Sequence, residues 1–240
     1  MKVLVLNGSP RMDKSNTSLI LTPFIEGMEE VGAEVELFYL RKLKIKPCLG
    51  CFNCWLKTPG KCSQNDDMQM LYPKLREADI WVFAAPVYVD GIPGPVKTLI
   101  DRFIPLVEPF FELREGHCRH IPREENKYSK LVLISNCGFW EKDNFDPLLV
   151  HMKAFAKNAS IDFAGALLRP HGEALTSMKR MGVIDDIFEA AKEAGRQLVK
   201  DGEMSTETLH ILSRELLPLE KYVQLVNQNF QQTLEALEQK

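Results

Sequence analysis

Short, unbroken apolar runs alternate with longer segments of helical periodicity along the first two thirds of this chain. No other feature restricts the fold as much. The clearest runs are KVLVLN at 2–7, DIWVFAA at 79–85 and KLVLISN at 130–136; EVELFYL at 34–40 and SIDFAGALL at 160–168 read as two further strands. Runs without polar alternation suit strands buried on both faces, the condition of a parallel sheet covered by helices. Between them, Leu19, Ile20, Phe24, Ile25, Met28 and Val31 mark a helix over 17–31 that Gly32 closes. Met68, Leu71 and Leu75 mark the next helix; Asp66 and Gln69 can form its capping box, and Pro73 shortens or kinks it. Val96, Leu99, Ile100, Phe103 and Ile104 give a helix over 94–108, and another follows over 145–158.

Strand–helix alternation predicts an α/β fold with a doubly wound parallel sheet. Five strands fit the order 2-1-3-4-5 better than the six-stranded dinucleotide fold. Residues 109–129 are charged and unpatterned and read as a surface loop or flap. Helices at 183–200 and 206–238 form a C-terminal helical extension. In the last, Leu219, Val223, Val226, Phe230, Leu234 and Leu237 make an apolar stripe. That stripe either packs on its own domain or joins subunits. The expected organisation is one domain over 1–170, with a cysteine-rich insertion at 41–65, and the extension over 171–240.

Composition narrows the partners. The 240 residues are 45% hydrophobic and 26% charged, with net charge −3. That describes an ordinary globular protein without a basic footprint for nucleic acid. No run approaches the roughly 18 apolar residues of a membrane span. The start, MKVLVLNGSP, turns polar too soon for a secretory leader. The expected location is cytoplasmic, where the six cysteines would not form a disulfide framework.

The first strand ends in Asn7-Gly8-Ser9-Pro10-Arg11, and the next helix begins at Ser15-Asn16-Thr17. Ligands of open α/β sheets bind beyond the carboxyl ends of the strands. Hydroxyls of Ser9, Ser15 and Thr17, the Asn16 amide and the Arg11 cation can converge on a helix N-terminus, which suits one terminal phosphate dianion. The segment is neither G-x-G-x-x-G nor G-x-x-x-x-G-K-[ST], which disfavours a dinucleotide or an ATP-type cradle. A plain capping turn is the alternative. Two more loops reach the same edge: Pro86-Val87-Tyr88 with Gly91, and Asn136-Cys137-Gly138-Phe139-Trp140. Tyr88, Phe139 and Trp140 are candidate partners for a flat ring, with glycines that let backbone N–H groups approach it.

These residues carry a resemblance. Gly8-Ser9-Pro10-Arg11 with Ser15-Asn16-Thr17, then Pro86-Val87-Tyr88, then Lys97 with Asp101-Arg102, resembles the NADPH-dependent FMN reductase branch of the flavodoxin-like proteins, over about residues 1–170. The resemblance implies that the first loop holds the FMN phosphate, that the loops around Tyr88 and Asn136–Phe139 flank the ring, and that the protein forms homodimers or homotetramers. Cys48, Cys51, Cys54 and Cys62 read C-x2-C-x2-C-x7-C. That spacing suits a four-iron–four-sulfur cluster better than zinc, and leaves free thiols or a reversible disulfide as the alternatives. It is similar to the iron–sulfur flavoprotein family, which places its cluster in this loop.

The sequence thus predicts an FMN-dependent oxidoreductase of iron–sulfur flavoprotein type. It would take electrons from NAD(P)H or a reduced carrier and pass them to a small-molecule or protein acceptor. A cluster-free NAD(P)H-dependent reductase of quinones, nitro- or azo-compounds, a non-enzymatic electron carrier and a flavin-free binding module are the rivals. No side chain is expected to act as an obligatory acid or base. His117-Cys118-Arg119-His120 reads as part of a solvated flap rather than a ligand set.

Overall fold

A computed structural model describes residues 1–238. The apolar runs form β1 (Lys2–Asn7), β2 (Glu34–Tyr39), β3 (Ile80–Pro86), β6 (Lys130–Asn136) and β7 (Asp162–Arg169). They make one parallel sheet in the order β2-β1-β3-β6-β7. Counting the strands of this sheet alone, the order is 2-1-3-4-5, the flavodoxin-like arrangement. Register places Asn7 beside Tyr39 and Ala84, Pro86 beside Asn136, and Asn136 beside Arg169. These pairs are the carboxyl edge of the sheet.

Successive residues of a strand face opposite sides, and the core divides accordingly. Val3, Val5, Val82 and Ile134 face α1 (Asn16–Glu30) and α7 (Asp185–Lys200). Leu4, Leu6, Phe83 and Leu133 face α3 (Met68–Glu77), α4 (Gly94–Asp101) and α5 (Asp146–Ala159). The C-terminal segment therefore supplies a helix to the main core. α7 lies in backbone contact with α1: a Cβ on Gly27 would sit 1.9 Å from the Lys192 carbonyl oxygen, and one on Gly195 would sit 2.1 Å from that of Phe24.

Several local expectations are corrected. Residues 109–129 are not an unpatterned loop: β4 (Val107–Arg114) and β5 (His117–Pro122) form an antiparallel hairpin. Its two-residue turn has φ +51° at Glu115 and +73° at Gly116, both positive as a type I′ turn requires. The helix expected over 94–108 ends at Asp101. Pro105 lacks an N–H, and its ring would collide with the Asp101 carbonyl in a continuous helix. The helix expected over 206–238 is two, α8 (Thr206–Ser213) and α9 (Leu219–Glu238), with Pro218 immediately before the second. The remaining helices are α2 (Asn53–Leu56) and α6 (Leu175–Met181).

The capping box on α3 does not close. Asp66 Oδ1 accepts the Met68 N–H at 3.1 Å, but the Gln69 amide donates to the Cys62 and Gln64 carbonyls instead. Along α9 only Tyr222 is buried, and Val223, Phe230, Leu234 and Leu237 of the apolar stripe are exposed. No described helix is long and apolar enough to cross a membrane.

Candidate functional site

The loops after β1, β3, β6 and β7 meet at the carboxyl edge of the sheet. Asn7, fully buried, shapes the first: its Oδ1 accepts the Ser9 N–H at 2.9 Å and its amide donates to Ser18 Oγ at 3.1 Å. Ser18 Oγ donates to the Met12 carbonyl at 2.7 Å. Ser15 Oγ accepts the Ser18 N–H at 3.0 Å and donates to the same carbonyl at 2.6 Å, so this hydroxyl is the N-cap of α1. Glycine is needed at position 8, where a Cβ would lie 2.1 Å from Val96 Cγ2 of α4.

Ser9, Asn16 and Thr17 are buried around this helix start. The first-turn N–H groups of a helix lack intrahelical acceptors and carry partial positive charge. Asn16 Nδ2 is buried with no hydrogen-bond partner. An unmet buried donor costs about 1–3 kcal/mol, and an anion at the helix start would remove that penalty. Thr17 Oγ1 faces sideways and donates to Asn136 Oδ1 at 2.5 Å. Arg11 extends outward to Glu173, 3.2 Å away, and both side chains are exposed.

The β3 loop turns over at Tyr88–Gly91, closed by Tyr88 N–H to the Gly91 carbonyl at 2.9 Å and the reverse bond at 3.1 Å. Val89 and Asp90 have φ +47° and +60°. A β-branched residue rarely adopts that conformation. The Val87 N–H donates to the Asn136 carbonyl at 2.9 Å, joining this loop to the next. In the β6 loop, Cys137 is buried, and burial pushes its thiol up to about 11. It is therefore protonated at neutral pH. Gly138 borders open space, and Tyr88 and Phe139 present exposed rings. Trp140 is engaged elsewhere: it stacks on His171 with centroids 6.0 Å apart, and its Nε1 donates to the Leu217 carbonyl.

Sequence reasoning missed the orienting roles of Asn7 and Ser18, and the whole β7 loop. His171 Nε2 accepts the Leu216 N–H at 2.9 Å and lies 3.2 Å from the Arg169 guanidinium. Burial, then the Arg169 charge, pushes His171 down to about 4. Gly172 packs on Asn136, where a Cβ would stand 2.8 Å from the amide nitrogen. The signal was present in Arg169-Pro170-His171-Gly172, which leaves the fifth strand at the same edge as the other loops.

Cys48, Cys51, Cys54 and Cys62 line one small concavity beside Arg102 and Pro105, at the end of α4. Cys48 and Cys51 are exposed, Cys62 is half-buried and Cys54 is buried. The Gly50 N–H points at Cys48 Sγ, 3.5 Å away, and the Asn53 N–H holds the Cys51 thiol below its ordinary value. Burial, then the neighbouring Cys62, raises Cys54. Among the described residues, no three His, Cys, Asp or Glu side chains converge on a single-ion site. Trp55 anchors the loop by donating to the Val107 carbonyl at 2.9 Å, and it packs on Phe52 and on His120 of the hairpin. At the other side of the loop, Arg102 and Asp66 form a buried ion pair.

Known proteins resemble the first half of the chain in sequence and most of the chain in fold. Residues 1–115 match the NADPH-dependent FMN reductase family. Within the span of that FMN reductase match lie the first loop, the cysteine loop and the Tyr88 turn. An iron–sulfur flavoprotein of Archaeoglobus fulgidus is 43% identical over 102 residues, 42% of this chain and 48% of the relative. One from Methanocaldococcus jannaschii is 38% identical over 106 residues, 44% and 53% of the two chains. The matches span about half the length of these relatives. An FMN-dependent NADH-azoreductase of Bacillus anthracis, solved with FMN, superposes with TM-score 0.60 at 16% identity over 83% of this chain and 99% of that one. An NAD(P)H:quinone oxidoreductase of Methanothermobacter marburgensis gives 0.56 at 17% over 82% and 96%. At those identities the likeness establishes the shared fold.

Proposed function

We propose that this chain binds one FMN at the carboxyl edge of the sheet and works as an FMN-dependent oxidoreductase, accepting electrons from NAD(P)H or a reduced carrier. The observation that carries the reading is the unmet Asn16 amide at the start of α1, in a segment that matches the FMN reductase family. Ser9, Asn16 and the first-turn N–H groups would hold the phosphate, with Arg11 available on release from Glu173. Ser15 and Thr17 support that cradle through the cap and through Asn136. Tyr88, Phe139 and the backbone around Pro86, Val87, Gly91 and Gly138 would border the ring. FMN, when bound, supplies hydride and single-electron chemistry. The chain's own groups bind, orient and exclude water, and Cys137 stays protonated beside the site.

The reading extends to the cysteine loop. Cys48, Cys51, Cys54 and Cys62 would hold a four-iron–four-sulfur cluster. Two observations support it: the relatives named as iron–sulfur flavoproteins, and four cysteines that line one concavity. The exposed stripe of α9 supports assembly into a homodimer or homotetramer.

An anaerobic absorption spectrum with FMN, iron and sulfide analysis tests the reading. The expected result is one FMN per chain with iron and sulfide in equal amounts. Colourless protein that takes up no FMN on titration ends it. Flavin without iron leaves a cluster-free NAD(P)H reductase. Bound flavin with no NAD(P)H turnover on an artificial acceptor leaves an electron carrier.

A further inference from the structure

The Arg102–Asp66 pair has no part in the flavin edge, yet both side chains are almost completely buried, 1% and 2% exposed. A buried ion pair is weak evidence for stability, because desolvation offsets much of the attraction. Its contacts suggest another use. Arg102 Nη1 donates to the Lys46 carbonyl and to Asp66 Oδ2, both at 2.7 Å. Nη2 donates to Asp66 Oδ1 at 3.1 Å and lies 3.3 Å from Cys62 Sγ. Asp66 Oδ2 also accepts the Lys46 N–H at 3.0 Å. One guanidinium thus ties the segment entering the cysteine loop, two residues before Cys48, to the segment leaving it at Cys62. Tyr72 holds the clamp from beneath, its hydroxyl donating to the Arg102 carbonyl at 2.9 Å.

We propose that Arg102 is a positioning residue for the metal centre: its fork locks both ends of the cysteine loop and donates a hydrogen bond to the Cys62 sulfur, fixing that ligand and making the bound cluster easier to reduce. This rests on the cluster reading above. Asp66 already accepts one N–H from each of Nη1 and Nη2, so the contact of Nη2 with sulfur is additional to the ion pair. Hydrogen bonds to ligand sulfurs draw off their charge and are a known lever on cluster potential. Lysine cannot replace this arrangement, because a compact ammonium has no planar fork to span Lys46, Asp66 and Cys62 together.

Two full-length variants test it: Arg102→Lys, which keeps the charge opposite Asp66, and Arg102→Gln with Asp66→Asn, which leaves no lone buried ion. Iron retention against a chelator and the midpoint potential by EPR-monitored titration are read after anaerobic reconstitution, with FMN content as the control. Both variants are expected to keep FMN, lose iron retention by about 10- to 100-fold, and reduce at a more negative potential. Wild-type retention and potential in both variants would overturn the inference. Hydrogen exchange of the 44–66 amides, measured on iron-free protein, is expected to quicken in both; unchanged exchange discards the clamp. If wild-type protein takes up no iron on reconstitution, the cluster reading itself falls, and the exchange result still decides whether Arg102 holds the loop.

Discussion

Ser15, Asn16 and Thr17 are adjacent in sequence, and the fold gives each a separate task. Ser15 caps α1, Thr17 reaches across to Asn136, and Asn16 is left with an unmet donor. Ser15→Ala should therefore lower stability by about 1 kcal/mol in urea unfolding, the usual value of an N-cap. It should also weaken FMN binding in a fluorescence titration, because the cap holds the loop that faces the phosphate. Asn16→Ala should weaken FMN binding without a loss of stability, since the amide has no partner to lose. Val89 offers the opposite sign. It is almost fully exposed and sits at φ +47°. Val89→Gly should raise stability by about 1 kcal/mol through release of backbone strain, visible as a higher thermal midpoint. An unchanged midpoint would mean that the turn stores no strain.

At the level of elements, the contact of α1 with α7 decides how closely the C-terminal segment covers the sheet. Gly27 and Gly195 let the two backbones meet, with Ala191 and Ala194 filling the rest of the seam. Gly195→Ala should cost about 3 kcal/mol, because the obstruction is a carbonyl rather than a movable side chain. Gly94→Ala is the control: its Cβ would meet nothing within 4 Å, and denaturant midpoints should barely move. The hairpin shows why one element was not legible. Its strands carry Phe110, Phe111 and Leu113 on exposed positions among charges, so no buried face imposes alternation. The informative letters were Glu115-Gly116, the pair that makes the turn.

Across the whole molecule, His171 joins the β7 loop to the C-terminal helices, between Trp140 and Tyr222. It is fully buried, and its folded value of about 4 lies below the ordinary 6.5. From pH 6.5 down to 4 the unfolded chain takes up a proton that the native chain refuses, so stability falls across that window and is fully present above it. The total loss is about 3 kcal/mol. Unfolding midpoints measured from pH 7.5 to 4.5 should show this slope, and His171→Gln should flatten it. At the same scale, Phe230→Glu with Leu234→Glu should shift sedimentation from an assembly toward the monomer. A wild-type monomer would remove the oligomer from the proposal.

The sequence by itself determined the five strands, their order and the edge at which the loops collect, but not that β2, expected to be buried, is a largely exposed edge of the sheet. Apolar runs and helical periods are local signals, and parallel connection leaves little freedom in where strand ends point. It also marked the cysteine spacing and most of the phosphate loop. Tertiary structure decided which of those groups are free and which are engaged. In sequence, Asp101-Arg102 fits a helix-surface pair or an interface contact alike, but the partners of Arg102 lie 36, 40 and 56 positions away and bury it. Trp140 reads as a ring partner until Leu217 and His171 claim it. The unmet donor of Asn16 follows from burial by the surrounding fold. Such outcomes depend on desolvation and on hydrogen bonds between distant segments, which no local pattern encodes.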